Sequence, residues 1–303
     1  MGLPITGTAQ RPLLGILFMM LATSLFPVMN GLVKLLSAEY SSEQIIWART
    51  ASHLIFVLLL FGPGHGGWRL LRTVRPRHQI ARSLVLLAST TCFFNGVKYM
   101  PLAEASSISF ASPFMVALLA VPFLGEKASA VRLLAVLVGF GGVLVVIRPG
   151  SEVFQWASLF ILGSAFFYAT YQLLTRHVAG YDRPETSVVY SALVGTLVMS
   201  LVVPFFWTTP QSLGHTLLLA SLGVLGGLGH YCVARAMTYA AASVVSPFHY
   251  WQIVGAVMTG YLLFGDLPDR YTWLGAALII GSGLFIGWRE SRERTPSAGG
   301  RPG

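Results

Sequence analysis

Apolar residues fall in ten long runs separated by short polar stretches: 13–36, 44–61, 82–100, 103–124, 130–147, 153–176, 185–207, 213–236, 240–264 and 270–288. Each run is close to the roughly 20 residues a helix needs to cross the hydrocarbon of a bilayer. Within lipid, backbone polar groups must be satisfied inside the segment, so a run of this length is expected to be helical. Hydrophobic residues make up 54% of the chain and charged residues 10%, too few to clothe a soluble domain of 303 residues. The short connections leave no room for a separate soluble domain. The pattern predicts an all-α polytopic membrane protein with ten transmembrane helices.

The second five runs repeat the first five. At an offset of 140, Cys92 pairs with Cys232, Tyr99 with Tyr239, Ser106 with Ser246, Gly125-Glu126 with Gly265-Asp266 and Gly141 with Gly281. Earlier in the chain the offset is 142, pairing Leu17-Phe18 with Leu159-Phe160, Lys34 with Arg176 and Glu43 with Glu185. Two five-helix repeats are therefore expected, 13–148 and 153–288, followed by a disordered cytoplasmic tail at 289–303 that is rich in Arg, Gly and Pro. An odd number of crossings per repeat makes the second repeat enter the membrane from the opposite side, so the repeats are inverted.

Charge sets the orientation. With the N-terminus inside, fifteen of the twenty Lys and Arg residues fall in cytoplasmic stretches, Arg69, Arg72, Arg75, Arg77 and Arg82 forming the densest group. Only Lys34, Lys98, Arg148 and Arg270 fall outside, and Arg49 lies within the second run. The positive-inside rule then puts both termini in the cytoplasm and accounts for the net charge of +9 without nucleic acid. Arg11 and the apolar run after it resemble a signal peptide, but cleavage there would spoil both the repeat and the asymmetry.

Two stretches carry a family resemblance: Lys98-Tyr99-Met100-Pro101-Leu102-Ala103-Glu104-Ala105-Ser106 entering the fourth run, and Phe123-Leu124-Gly125-Glu126-Lys127 leaving it. Their counterparts are 239–247 and Leu263-Phe264-Gly265-Asp266. The sequence resembles the drug/metabolite transporter superfamily in its ten-helix, EamA-type branch, over 13–288. The resemblance implies a secondary transporter of the bacterial inner membrane that works by alternating access between its inverted halves. Within that family the chain looks most like exporters of amino acids, aromatic ones included. Relatives that exchange protons for lipophilic cations use a carboxylate in the first helix, where this chain has Asn30; multidrug or quaternary-cation export is the alternative reading.

Polar and aromatic residues line up at helical spacing. Pro27, Asn30 and Lys34 share a face, as do Ser89, Cys92, Asn95 and Tyr99, and Ser106, Ser109 and Ser112. The sixth run gives Ser164, Tyr168, Tyr171 and Gln172; the eighth gives His230 and Tyr231; the ninth gives Ser246, His249, Tyr250, Trp251 and Gln252. Amides and imidazoles facing lipid would be unsatisfied, so these faces are expected to point into the bundle. Asn30, Asn95, Ser112, Tyr168, Tyr171, Gln172, His230, His249, Tyr250 and Trp251 form the candidate substrate site. Amides and hydroxyls suit the charged ends of a zwitterion, and aromatic rings its apolar body. Deep Tyr and Trp also serve plain packing, and a lone His is more often a hydrogen-bonded packing residue than a proton carrier. Arg49, about 7 Å in from the outer end of its run, either snorkels to the interface, the preferred reading, or binds a substrate carboxylate.

Glycines at 139, 141, 142, 223, 227, 283 and 287 are expected to let helices approach closely, and Gly125 and Gly265 to cap helix ends. Pro27, Pro113, Pro122, Pro204 and Pro247 lie inside runs, where each removes a backbone hydrogen bond and either kinks the helix or shapes the substrate path. An intramembrane enzyme is the alternative class, but neither a His-Glu-x-x-His nor a Gly-x-Ser-x-Gly pattern occurs, and Ser246 with His249 lacks an orienting acid. No phosphate loop is present, so transport runs downhill or on an ion gradient. No cofactor or metal is expected. The expected partners are a small-molecule substrate and the lipid bilayer, with the chain a monomer or a weak homodimer.

Overall fold

A computed structural model of the chain describes residues 11–65, 70–124, 130–151, 155–178, 181–240 and 242–293. Among them every regular element is helical. The first repeat contains α1 (Pro12–Leu36), α2 (Ser42–His65), α3 (Pro76–Val97), α4 (Leu102–Ser109), α5 (Ser112–Leu124) and α6 (Ala130–Ile147). The second contains α7 (Ala157–Val178), α8 (Pro184–Val202), α9 (Leu213–Tyr239), α10 (Ala242–Val245), α11 (Trp251–Phe264) and α12 (Arg270–Glu293). Proline begins α1, α3 and α8, at a position where a missing N–H costs nothing. Gly265 takes φ of 71°, and its amide returns to the Tyr261 carbonyl at 2.9 Å, the left-handed helix end expected there. Its repeat partner Gly125 lies outside the described residues, as does the tail beyond Glu293; residues 289–293 continue α12.

Nine spans among the described residues are long and apolar enough to cross a membrane. The ninth crossing differs from the single helix expected over 240–264. It is α10, a 3₁₀ turn at Ser246–Tyr250, and α11. The fourth crossing is likewise broken, at Phe110-Ala111 between α4 and α5. The cause is proline: Pro113 and Pro247 have no N–H for the carbonyls one turn earlier, so the α-helical ladder lapses just where they sit. At the offset of 140, Phe110 corresponds to Tyr250, so the two breaks fall at matching places. Pro27 and Pro122 stay inside continuous helices.

Packing obeys the same twofold relation. α3 lies along α7 as α1 lies along α9, and α5 meets α7 as α11 meets α1; α2 meets α8 and α6 meets α12, each helix packed on its own counterpart. The α6–α12 seam brings backbones together: a Cβ on Gly275 would sit 2.6 Å from the Gly142 carbonyl oxygen. Gly139 lies against the Phe114 ring, Gly227 against Phe56 and Gly283 against Tyr250. Gly141 and Gly287 face open space, contrary to the expectation for them; in α6, residue 141 is turned away from the face that 139 and 142 share.

Polar latches join the connections at each end. At one end Lys34 pairs with Asp266 at 2.8 Å, Arg148 with Asp269 at 2.6 Å, and Gln44 exchanges two hydrogen bonds with Thr208. At the other, Asp182 accepts from Thr73 Oγ1, from Gln79 Nε2 at 2.8 Å and from Val74 N at 3.1 Å. Partial burial disfavours the Asp182 charge, yet these hydrogen bonds outweigh it and hold the carboxyl below its ordinary range.

Candidate functional site

The interior is built where the broken crossings meet α1, α2, α3, α7 and α9. Phe110 and Tyr250 stack obliquely with centroids 4.9 Å apart, and the His249 ring stands edge-on to Phe110 at 5.8 Å. Since positions 110 and 250 are repeat partners, this contact marks the pseudo-twofold axis. On one side of it, Pro27 of α1 nests against Gly255 of α11, and the Trp251 indole donates to Ser24 Oγ at 3.2 Å. On the other, Gln172 of α7 donates to Ser112 of α5 at 3.3 Å, and Ser89 of α3 donates to the Ser164 carbonyl at 2.9 Å. Asn30 and Gln172 are partners at the offset of 142, as are Phe26 and Tyr168.

Rings continue away from the axis. His230 of α9 lies 5.2 Å from Phe26 and 6.2 Å from His53 of α2, nearly parallel to it. Tyr168 and Tyr171 stack at 5.7 Å on α7. Asn95 turns its amide onto the Thr91 carbonyl of its own helix at 2.9 Å. Ser112 and Asn30 are buried, while Trp251 is 39% exposed and Gln172 is also exposed.

Among the described residues Asn30, His230, His249 and the hydroxyls of Tyr168 and Tyr250 have no hydrogen-bond partner in the protein, although all lie well inside crossings. Polar groups within a membrane bundle are ordinarily paired. Five of them on four crossings, flanked by aromatic rings, make a surface that can both stack on a flat molecule and bond its polar groups.

Tyr171 has a second duty. Its hydroxyl accepts from Arg82 at 3.0 Å and its ring lies 5.0 Å from the guanidinium. Arg82, counted above among cytoplasmic loop charges, is 1% exposed inside α3. Each of its five N–H groups is used: Nε on Gln79 Oε1, Nη1 on Tyr171 and Thr175, Nη2 on the Ser187 carbonyl and Ser191. Hydropathy begins the third run only at this arginine; Pro76, which opens α3 six residues earlier, is the sequence signal that sets it inside the helix. Arg49 leaves its Nε buried with no partner, and its Nη2 lies 3.6 Å from where a Cβ on Gly226 of α9 would be.

A polytopic helical bundle of two inverted repeats, with an uncapped polar and aromatic interior at the point of symmetry, is a membrane transporter. The family model described as the EamA-like transporter family matches residues 13–148 and 155–288, and the chain belongs to that family. The chain is 29% identical to a riboflavin transporter of Vibrio cholerae, over 94% of this chain and 97% of that one. It is 30% identical to an S-adenosylmethionine uptake transporter of Rickettsia conorii, over 75% and 76%. It is also 30% identical to a pseudopaline exporter of Pseudomonas aeruginosa, over 88% and 93%. A solved crystal structure at 19% identity superposes with a TM-score of 0.63 over 93% of this chain and 98% of its own, a likeness of fold alone. The chain is thus a transporter rather than an enzyme.

Proposed function

We propose that this chain exports small amphipathic metabolites that carry a planar ring, amino acids including aromatic ones among them, from the cytoplasm of a bacterium across its inner membrane. Both termini are cytoplasmic in this reading, and the units 13–148 and 153–288 exchange conformations about the axis at Phe110 and Tyr250. The observation that carries it is the set of unpaired polar groups among rings: Asn30, Tyr168, His230, His249 and Tyr250. Trp251, Tyr171, Gln172, Asn95 and Ser112 complete the wall. A ring stacked on an aromatic side chain gains about 0.5–1.5 kcal/mol beyond its buried area, and the amide and hydroxyl groups orient its polar end.

Counterflow in sealed vesicles made with the purified chain tests this. Vesicles loaded with unlabelled tryptophan are expected to accumulate labelled tryptophan or phenylalanine faster than labelled alanine. Exchange of alanine but of no ring-bearing solute would refute the assignment. Trp251→Ala and Tyr250→Ala are expected to slow tryptophan more than alanine, with both variants inserted at normal levels.

A further inference from the structure

The geometry points to Arg49 as the binding group for a carboxylate on the transported molecule, an inference that rests on the proposed function for the identity of that molecule. Arg49 lies seven residues into α2, about 10 Å from its start at the helical rise. Its guanidinium does not turn back toward the nearby interface. The Arg49 carbonyl lies against Gly223 of α9, whereas Nε and Nη2 lie at the level of Gly226, 3.6 Å from where a Cβ would be. Residues 223 and 226 are about 15 and 20 Å along α9 from its start at that same end. The side chain therefore points inward by nearly a turn.

A guanidinium is charged at any physiological pH and has five N–H groups to satisfy. Among the described residues Arg49 makes no hydrogen bond and no ion pair. The face of the Phe94 ring lies 5.8 Å from its Cζ. His53 and His230 stack beside it, the Nε2 of His53 being buried without a partner as well. Arg82 is the internal control: same residue type, same bundle, all five donors engaged. Arg82 is saturated by its neighbours; Arg148 and Arg235 leave Nε bare but each engages a terminal nitrogen, on Asp269 and on Tyr239, and Arg49 engages none. Arg49 is half-buried, with Nε closed off beside Gly226 and the terminal nitrogens still open. A guanidinium held in the bundle without a partner costs free energy, so its open end is matched to something outside the protein, and two parallel N–H groups there fit a carboxylate in bidentate fashion. Phe26, Phe94 and His230 put rings beside the same spot, so an anionic group and a flat body are met together.

The test uses the purified full chain and two indole probes that differ only in charge, indole-3-propionate and its amide. Wild type is expected to bind the carboxylate at least tenfold more tightly. Arg49→Met is expected to erase that difference while leaving amide binding unchanged, and Arg49→Lys to keep most of it. Without ligand, Arg49→Met is expected to unfold at a higher temperature than wild type, because it removes an unpaired buried charge; a structural arginine would give the opposite sign. Glutarate, a carboxylate without a ring, separates this inference from the proposed function. If the indoles fail to bind but glutarate raises the unfolding temperature of wild type and not of Arg49→Met, the proposed substrate falls and Arg49 stands. Equal binding of carboxylate and amide by wild type, a preference that survives Arg49→Met, or a destabilised Arg49→Met chain would overturn the assignment. So would a failure of every probe to distinguish the two proteins.

Discussion

Replacing Arg82 by Met should destabilise the chain by about 2–4 kcal/mol. The figure comes from two opposing quantities. Arg82 donates five hydrogen bonds to groups on α3, α7 and α8, and hydrogen bonds from a charged donor contribute about 1.5–3 kcal/mol each, though not additively. Against this, removing a buried ion relieves a desolvation penalty of several kcal/mol. The remainder is dominated by acceptors left bare: the Gln79 amide oxygen and the Tyr171 and Thr175 hydroxyls cannot all find new donors in a buried position, whereas the Ser187 carbonyl keeps the Ser191 hydroxyl. At about 2–4 °C per kcal/mol for a chain of this size class, thermal unfolding in detergent should fall by roughly 5–15 °C. Arg82→Lys, with three donors in place of five, should fall between the two. A variant Arg82→Met as stable as wild type would refute the reasoning, for it would mean that full use of the donors does not distinguish a structural arginine.

The seam between α6 and α12 gives a second test: Gly275→Val forces its Cβ to within 2.6 Å of the Gly142 carbonyl oxygen and should cost about 1–3 kcal/mol as overpacking. Gly141→Ala, in open space, should be neutral or gain up to about 1 kcal/mol of helix propensity; thermal unfolding of the two variants checks both. Orientation is tested by cysteines placed one at a time: an impermeant thiol reagent outside intact cells should label positions 209–212 and miss 72–74, and the reverse would overturn the cytoplasmic termini. Asp182 and Asp269 both sit below the ordinary carboxyl range because their hydrogen bonds outweigh the cost of partial burial. Their stabilisation is present above the unfolded value of about 3.9 and is lost as pH falls through the lower folded value. Asp182→Asn should therefore lose stability at neutral pH and differ less from wild type as the pH drops below 4, as measured by unfolding against pH.

Much of the architecture is legible in the chain because lipid leaves helices few alternatives. The run at 130–147 matches α6 at both ends, and the offsets of 140 and 142 anticipate which helices become counterparts. What escapes is local. Hydropathy averages over a break, so the fourth and ninth crossings read as single helices, although Pro113 and Pro247 mark where the ladder fails. It also ends a run at a charge, which is why Arg82 reads as a loop residue and α3 as starting late. Arg49 is harder still. Whether an arginine near a helix end turns outward or inward depends on what faces it, and the space beside Gly226 of α9 is a tertiary fact. The polar stripes locate the interior, yet only the packed structure separates Asn95, which bonds its own helix, from Asn30, which bonds nothing among the described residues.

In the register that pairs Glu43 with Glu185, the counterpart of Arg49 is Ser191. The scaffold is nearly the same viewed from either face of the membrane, but Arg49, the interior guanidinium that makes no hydrogen bond among the described residues, belongs to a single half. A molecule held by that charge has a head and a tail relative to the bilayer, and exchanging the conformations of the two halves does not move the arginine to the other half. Cargo held at Arg49 therefore does not tumble as access alternates: the end that leads on entry also leads on departure.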